Sequence, residues 1–337
     1  MTATATSPSK ASTRESVMSV LRRQETGLFG VIILLGALVT FANPNFFTQA
    51  NIYNLLQTVV VVGIISIGQT FVLIGKEIDL SVGSVLALSA VSAGAAYGAG
   101  VSPWLAMLIG IGVGSLSGFV VGLVVVIGRV SSFIVTLGML SIARGLTQLL
   151  TGGLPQRMPA ELSFIGQGRI LGGVPVSVVL FIVLVILGQL LLTRTVFGLR
   201  VTAIGDNDQA AKTGGIPVGR TRILVFMLIG ALAGLAGIVF STQVGVAEAQ
   251  AGTGYELDVI AAAVIGGASL SGGRGSILGA FLGACLLGLL RNAFILLQLS
   301  PFLQQLSIGL VIVIAALFDQ WRQGNLAHLR PRWLRQN

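Results

Sequence analysis

The chain has 337 residues, 54% of them hydrophobic and only 9% charged. Soluble domains carry about 25% charged residues, so this chain cannot cover a water-facing surface and must present much of its exterior to lipid. Its formal net charge of +9 does not argue for nucleic acid, because the basic residues are spread along the chain and border apolar runs, as membrane orientation requires. The single Cys285 rules out an intrachain disulfide framework, and the single His328 leaves no histidine for a catalytic triad. Forty-six glycines among so much Val, Ile and Leu suit closely packed membrane helices.

In chain order, residues 1–9 are small and polar, with no apolar core behind a charged start, unlike a cleavable signal peptide. Ser12 and Glu15 have capping-box spacing, and Val17, Met18, Val20 and Leu21 alternate with Arg14, Arg22 and Arg23. This predicts a short amphipathic helix on the inner membrane surface, within a cytoplasmic tail over residues 1–26. Ten membrane spans are expected near residues 27–42, 55–75, 82–99, 104–127, 133–150, 176–192, 223–242, 259–270, 277–290 and 302–318. Together they make one permease domain over 27–320, and a second charged tail follows at 321–337. The eighth and ninth runs are short and glycine-interrupted, which suggests broken or re-entrant segments.

Ten spans place both termini on one side. Lys76, Arg129, Arg194, Arg200, Lys212, Arg220, Arg222 and Arg274 then share that side with the tails, and only Arg157 and Arg169 lie clearly opposite. Short loops rich in Lys and Arg mark the cytoplasm, so both termini are expected inside. In the fourth span Gly110, Gly114, Gly118 and Gly122 recur every four residues, along one helix face. Gly230 with Gly234, and Gly275 with Gly279 and Gly283, repeat the device; close helix packing is the expected role. A weak internal echo links residues 74–81 to 265–271, each ending one span and preceding another.

The longest charged stretch between spans runs over residues 194–222. Asp206, Asn207 or Asp208 can cap a short helix through Ala210, Ala211 and Lys212. Gly214 or Gly215 can end it, and Pro217 prevents its continuation. Such a helix, held between two spans, is a rigid knob pointing into the cytoplasm.

Here the chain resembles a family. The pattern Gly205-x-Asn207-x-x-Ala210-Ala211-x-x-x-Gly214-Gly215-Ile216 is similar to the cytoplasmic coupling loop of ribose-type ATP-binding-cassette sugar permeases. So are Asn43-Pro44-Asn45-Phe46-Phe47, Ile78-Asp79-Leu80-Ser81-Val82-Gly83-Ser84, and Glu256-Leu257-Asp258 leading into Gly266-Gly267-Ala268-Ser269-Leu270-Ser271-Gly272-Gly273. One departure is Lys76-Glu77, where the family usually has small, uncharged residues. The resemblance implies an all-α integral membrane protein of about ten transmembrane helices with a type II importer-like permease fold. It further implies a monosaccharide substrate, a second permease chain, a cytoplasmic ATPase that binds ATP and Mg, a periplasmic solute-binding protein and residence in the bacterial inner membrane. Gly205, Asn207, Ala210, Ala211, Gly214, Gly215 and Ile216 would then face the ATPase. The chain itself would carry no cofactor: Lys76 follows Gly75, but Thr70 and Glu77 break the phosphate-binding pattern.

Candidates for the translocation path are polar groups near or within spans: Ser66, Gln69, Asp79, Ser81, Glu256, Asp258, Ser269, Ser271 and Asn292. Asp79, Glu256 and Asp258 sit at predicted span ends, where helix capping and interface anchoring are the alternative roles; Ser66, Gln69 and Asn292 lie deeper and either hydrogen-bond sugar hydroxyls or bond neighbouring helices. The rival readings need more. An ion-coupled transporter needs a buried acidic or histidine relay, and an intramembrane enzyme needs clustered nucleophiles or metal ligands. Cousins within the superfamily carry branched-chain amino acids, nucleosides or furanone-like signals.

Overall fold

The computed structural model describes residues 24–170 and 173–322; the amphipathic helix expected before residue 24 and the tail with His328 lie outside the described residues. The protein is all-α. Its first half holds α1 (Gln24–Ala42), α2 (Gln49–Ile74), α3 (Val82–Gly98), α4 (Pro103–Gly128) and α5 (Ser132–Thr151). After the short α6 (Ser163–Gln167) come α7 (Val176–Arg194), α8 (Val196–Asp206), α9 (Asp208–Thr213) and α10 (Val218–Val244). The chain continues through α11 (Tyr255–Ile265), α12 (Ile277–Leu296) and α13 (Pro301–Arg322). Two short antiparallel pairs, Gln156–Arg157 with Val246–Ala247 and Arg169–Ile170 with Val174–Pro175, gather loops at one end of the bundle. That is the far end; α8 and α9 mark the α9 end.

Local chemistry sets the boundaries. Thr48 accepts from the Asn51 N–H to start α2, and Ser276 accepts from Gly279 to start α12. Gly152 and Gly245, at φ +59° and +88°, end α5 and α10 in the left-handed conformation that glycine adopts without strain.

Helix α2 is the central post, 89% buried over its apolar window, and packs against α7, α10, α11 and α12. The outer helices α1, α5 and α13 turn apolar side chains outward: Phe41 is 90% exposed, Leu149 81% and Phe302 83%. Hydrocarbon solvates such groups, so these helices need no buried face; what fixes them is close packing. The glycine seam supplies it between α4 and α10. A Cβ on Gly114 or Gly118 would overlap the Gly230 or Phe226 carbonyl, and one on Gly122 would lie 2.8 Å from Ile223 Cα. Gly279 and Gly283 bring α12 equally close to the carbonyls of Gly266 and Ala262.

Nine of the ten predicted runs are helices of 17–27 residues, and among the described residues seven helices are long and apolar enough to cross a membrane. The ninth, expected to be broken or re-entrant, is one continuous helix, α12, whereas the eighth is broken as its glycines suggested and departs from its expected bounds. Instead of a span over 259–270, α11 covers 11 residues, Tyr255–Ile265, or about 16 Å at 1.5 Å per residue, against a hydrocarbon core of about 30 Å. Irregular backbone completes the crossing. From its strand pairing at the far end the chain descends until Gly252 packs on Gly83; after α11 the glycine loop runs on until Gly273 donates to the Ile74 carbonyl at the α9 end. Such backbone is tolerated at membrane depth only when enclosed by protein, and the glycines permit that enclosure.

The internal echo is structural. Gly75 ends α2 and Gly266 ends α11 with the same carbonyl pattern: Glu77 N–H returns to Val72 and Ala268 N–H to Ala263. Lys76 and Gly267 both take positive φ, 62° and 95°. An Asp79 carboxylate then accepts from Ser81 N–H, as the Ser269 hydroxyl does from Ser271 N–H.

Candidate coupling knob and polar path

Helix α9 forms as its sequence requires. Asn207 takes an extended conformation, and its Oδ1 accepts from the Ala210 N–H at 3.0 Å. Gly214 donates back to Ala210, Gly215 turns at φ +80°, and Ile216 N–H reaches the Ala211 carbonyl. Asn207 is therefore the cap, and Gly214 the stop. Upstream, Thr195 caps α8, an amphipathic helix in a stretch expected to be loop.

The two alanines differ. Ala210 is exposed, whereas Ala211 is buried at 6% and turned toward the body of the protein. Ala211 thus seats the knob and does not stand on its outer face, which Asn207, Gln209, Ala210, Thr213 and Gly214 form. Gly205 is also set apart from that face: it is buried, and a Cβ there would overlap the Ile74 carbonyl and lie 2.5 Å from Gly273 N. Its role is to let α8, α2 and the 266–276 loop meet. Ile216 is half-buried and lines a cleft of about 890 Å³ beside α9. Lys76, Arg129, Lys212 and Arg220 ring this cleft, and Val126, Val130 and Phe133 wall it.

Glu77, at the unusual Lys76-Glu77 step, finds its partner here. Arg222 Nε lies 2.8 Å from Glu77 Oε1, and Arg222 Nη2 lies 3.2 Å from Asp208 Oδ2. Burial pushes the Glu77 carboxyl above its ordinary range, opposed by a hydrogen bond from Ser132 and by Arg222. Asp79 is fully enclosed and is likewise pushed up by burial, opposed by the Ser81 hydroxyl and N–H at 2.6 and 2.7 Å.

The path candidates do not converge within one chain, and none of the nine lines the cleft. Ser66 donates to Val62 of its own helix at 2.7 Å. Asn292 exchanges amide hydrogen bonds with Asn51, and Asp258 is ion-paired to Arg291. Asn292 and Asp258 thus bond across to neighbouring helices, whereas Ser66 bonds within its own. Ser269 and Ser271 turn the loop near Gly205, at the α9 end. Half-buried Glu256 brings Oε2 against Gly83, near Ser81 at the start of α3. Gln69 is different: it is fully buried, and neither amide atom has a hydrogen-bond partner among the described residues.

Sequence reasoning missed Asn51 and gave no partner to Arg144 or Arg291, which stand in or near apolar runs. Arg144 reaches from α5 to the Ala249 and Ala251 carbonyls, holding the descending turns. Arg291 lies over the Tyr255 ring as well as against Asp258, pinning α11 to α12. The signal was available, since a charge within an apolar run needs a partner. Also missed was the outer face of α5, where Gly138, Ser141, Gly145 and Gln148 are exposed in a row and nothing approaches the glycines within 4 Å.

Comparison with known proteins follows this geometry. The profile of the permease component of branched-chain amino acid transport systems matches residues 51–316. The ribose import permease of Bacillus subtilis (strain 168) is 40% identical over 300 residues, covering 88% of this chain and 93% of its own. That of Escherichia coli (strain K12) is 39% identical over 305 residues, 89% of this chain and 94% of its own. The L-arabinose transporter permease of Azospirillum brasilense is 36% identical over 323 residues, 95% and 93% respectively. No solved structure gives a significant match.

Proposed function

The chain belongs to the family of branched-chain amino acid transport permease components, and on that premise we propose that it is the membrane-spanning subunit of an ATP-binding-cassette importer for a ribose-like monosaccharide. The observation that carries the reading is α9: a capped, glycine-stopped helix that offers an exposed Ala210 between two spans. Similarity over about nine-tenths of both chains to ribose import permeases supports the sugar. In this reading the α9 end faces the cytoplasm, as its cations Lys76, Arg129, Lys212 and Arg220 favour, and both tails lie there. A cytoplasmic ATPase binds ATP and Mg and docks on α9, and a periplasmic binding protein delivers the sugar at the opposite end of the inner-membrane bundle.

Two permease chains enclose the path. The candidate polar residues do not form a channel in one chain, while α5 turns Gly138, Ser141, Gly145 and Gln148 outward. The test is reconstitution of the permease with its ATPase and binding protein in proteoliposomes. ATP-dependent ribose accumulation is expected; ribose entry that proceeds equally without ATP would refute the reading.

A further inference from the structure

We infer that Glu77 is a positioning residue for coupling: through Arg222 it locks α9 to the link between α2 and α3. The inference rests on the proposed importer function, in which force from the ATPase enters at α9.

Four segments meet at this point. Glu77 belongs to the link, Asp208 opens α9, Arg222 lies in the first turns of α10, and Ser132 opens α5. The guanidinium lies between both carboxylates: Nε is ion-paired with Glu77 at 2.8 Å without hydrogen-bond geometry, and Nη2 donates to Asp208 at 3.2 Å. Glu77 is only 11% exposed, whereas Asp208 is 44% exposed. Ion pairs in open water form and part freely because solvent replaces the partner. Glu77 has little solvent to turn to, so losing Arg222 would strand a desolvated carboxylate. The ion pair is therefore shielded from solvent on the Glu77 side and open to it on the Asp208 side.

The link that Glu77 holds is itself taut. Ile78 N–H donates to Ser132 Oγ at 3.2 Å, and the Asp79–Ser81 turn leads directly into α3. The start of α3 touches the descending segment and α11, where Gly83 packs on Gly252 and Glu256 respectively. A shift of α9 thus has a continuous route through Arg222 and Glu77 to the irregular crossing beside α11. The rival reading of the same contacts is a static staple, which fixes the link without transmitting motion.

The experiment separates the two. The reconstituted complex is assayed for ATP hydrolysed per ribose moved and for melting temperature, using Glu77→Gln, Arg222→Gln, the double variant and Asp208→Asn. A lock predicts that Glu77→Gln still assembles but raises the ATP-to-ribose ratio about three- to tenfold, with the double variant no worse than Arg222→Gln alone. Asp208→Asn, on the exposed side, should fold normally and raise the ratio in the same direction by less. An unchanged ratio in both Glu77→Gln and Asp208→Asn, whatever happens to the melting temperature, overturns the lock. Ala210→Arg is the control on the premise. If it abolishes ribose-stimulated hydrolysis while Glu77→Gln behaves as wild type, only the lock fails. If the wild type shows no ribose-stimulated hydrolysis, the importer reading fails and the lock fails with it.

Discussion

Asn51 and Asn292, 241 residues apart, hold each other by two amide hydrogen bonds of 3.0 and 2.7 Å, both side chains buried between α2 and α12. Asn51 also donates to the Phe46 carbonyl, and Asn43 reaches the Leu296 carbonyl, so the turn after α1 is clasped to the far end of α12. Removing one buried partner leaves the other unsatisfied, at a cost of about 1–3 kcal/mol. Asn292→Leu is therefore expected to lower the melting temperature in detergent, and Asn51→Leu with Asn292→Leu by less than the sum of the single effects. Additive losses would show that the two amides act independently.

Gly118 and Gly138 offer matched substitutions with opposite surroundings. Leucine at either raises the hydrophobicity of its span by the same amount. At Gly118 even a Cβ overlaps the Phe226 carbonyl, whereas a Cβ on Gly138 would meet nothing within 4 Å beyond its own helix turn. Overpacking costs about 1–3 kcal/mol, so Gly118→Leu should melt earlier and Gly118→Ala should already be measurably weaker. Gly138→Leu should melt like wild type in detergent but transport poorly if α5 faces the path.

The paired alanines of α9 should part company. Ala210→Arg places a charge on an exposed site and should leave yield and melting unchanged while abolishing stimulation of the ATPase. Ala211→Arg forces a charge into a site 6% exposed and should lower yield and stability before any question of coupling arises. Equal stability of the two variants would contradict the burial difference.

Asp79 gives a pH signature. Burial raises its folded pKa above the ordinary carboxylate value, so between those two values the folded state holds a proton that the unfolded state releases. Stability from this group is greatest below the ordinary value, near about pH 4, and falls as pH rises through the folded pKa. Asp79→Asn keeps an oxygen for the Ser81 N–H and hydroxyl but cannot ionise. It should melt at or above wild type at neutral pH, with the gap closing as pH is lowered. Asp79→Ala, lacking the acceptor, should be less stable throughout.

Sidedness is checked by labelling. With Cys285 replaced, a cysteine at Gln209 should react with an impermeant thiol reagent only after the cell is opened, and one at Arg157 in intact cells. The reverse pattern would invert the bundle.

Much of this protein was legible in its sequence because the bilayer imposes simple rules. Apolar runs of fixed length and basic loops on one side gave the helices and their alternation, since backbone groups in hydrocarbon must bond within their own segment. The fourfold glycine spacing indicated close contact, and Asn207, Gly214 and Pro217 framed α9, because caps and stops are local chemistry. The repeat between residues 74–81 and 265–271 was visible for the same reason: both stretches cap a helix with the same backbone pattern.

Tertiary structure decided the rest. Nothing local distinguishes Ala210 from Ala211; which one is buried depends on how α9 sits against the bundle. Polar residues in a span read alike whether they face a path or a neighbouring helix, and only the fold gave Asn292 to Asn51, Asp258 to Arg291 and Glu77 to Arg222. Glycines hinted that both 259–270 and 277–290 were broken, but only the fold separated them: α11 stops after 11 residues, with irregular flanks that survive only inside a protein envelope, while α12 runs unbroken. Sequence thus determined which segments enter the membrane, where each group must satisfy itself locally. Partnership across tens or hundreds of residues was settled by packing alone.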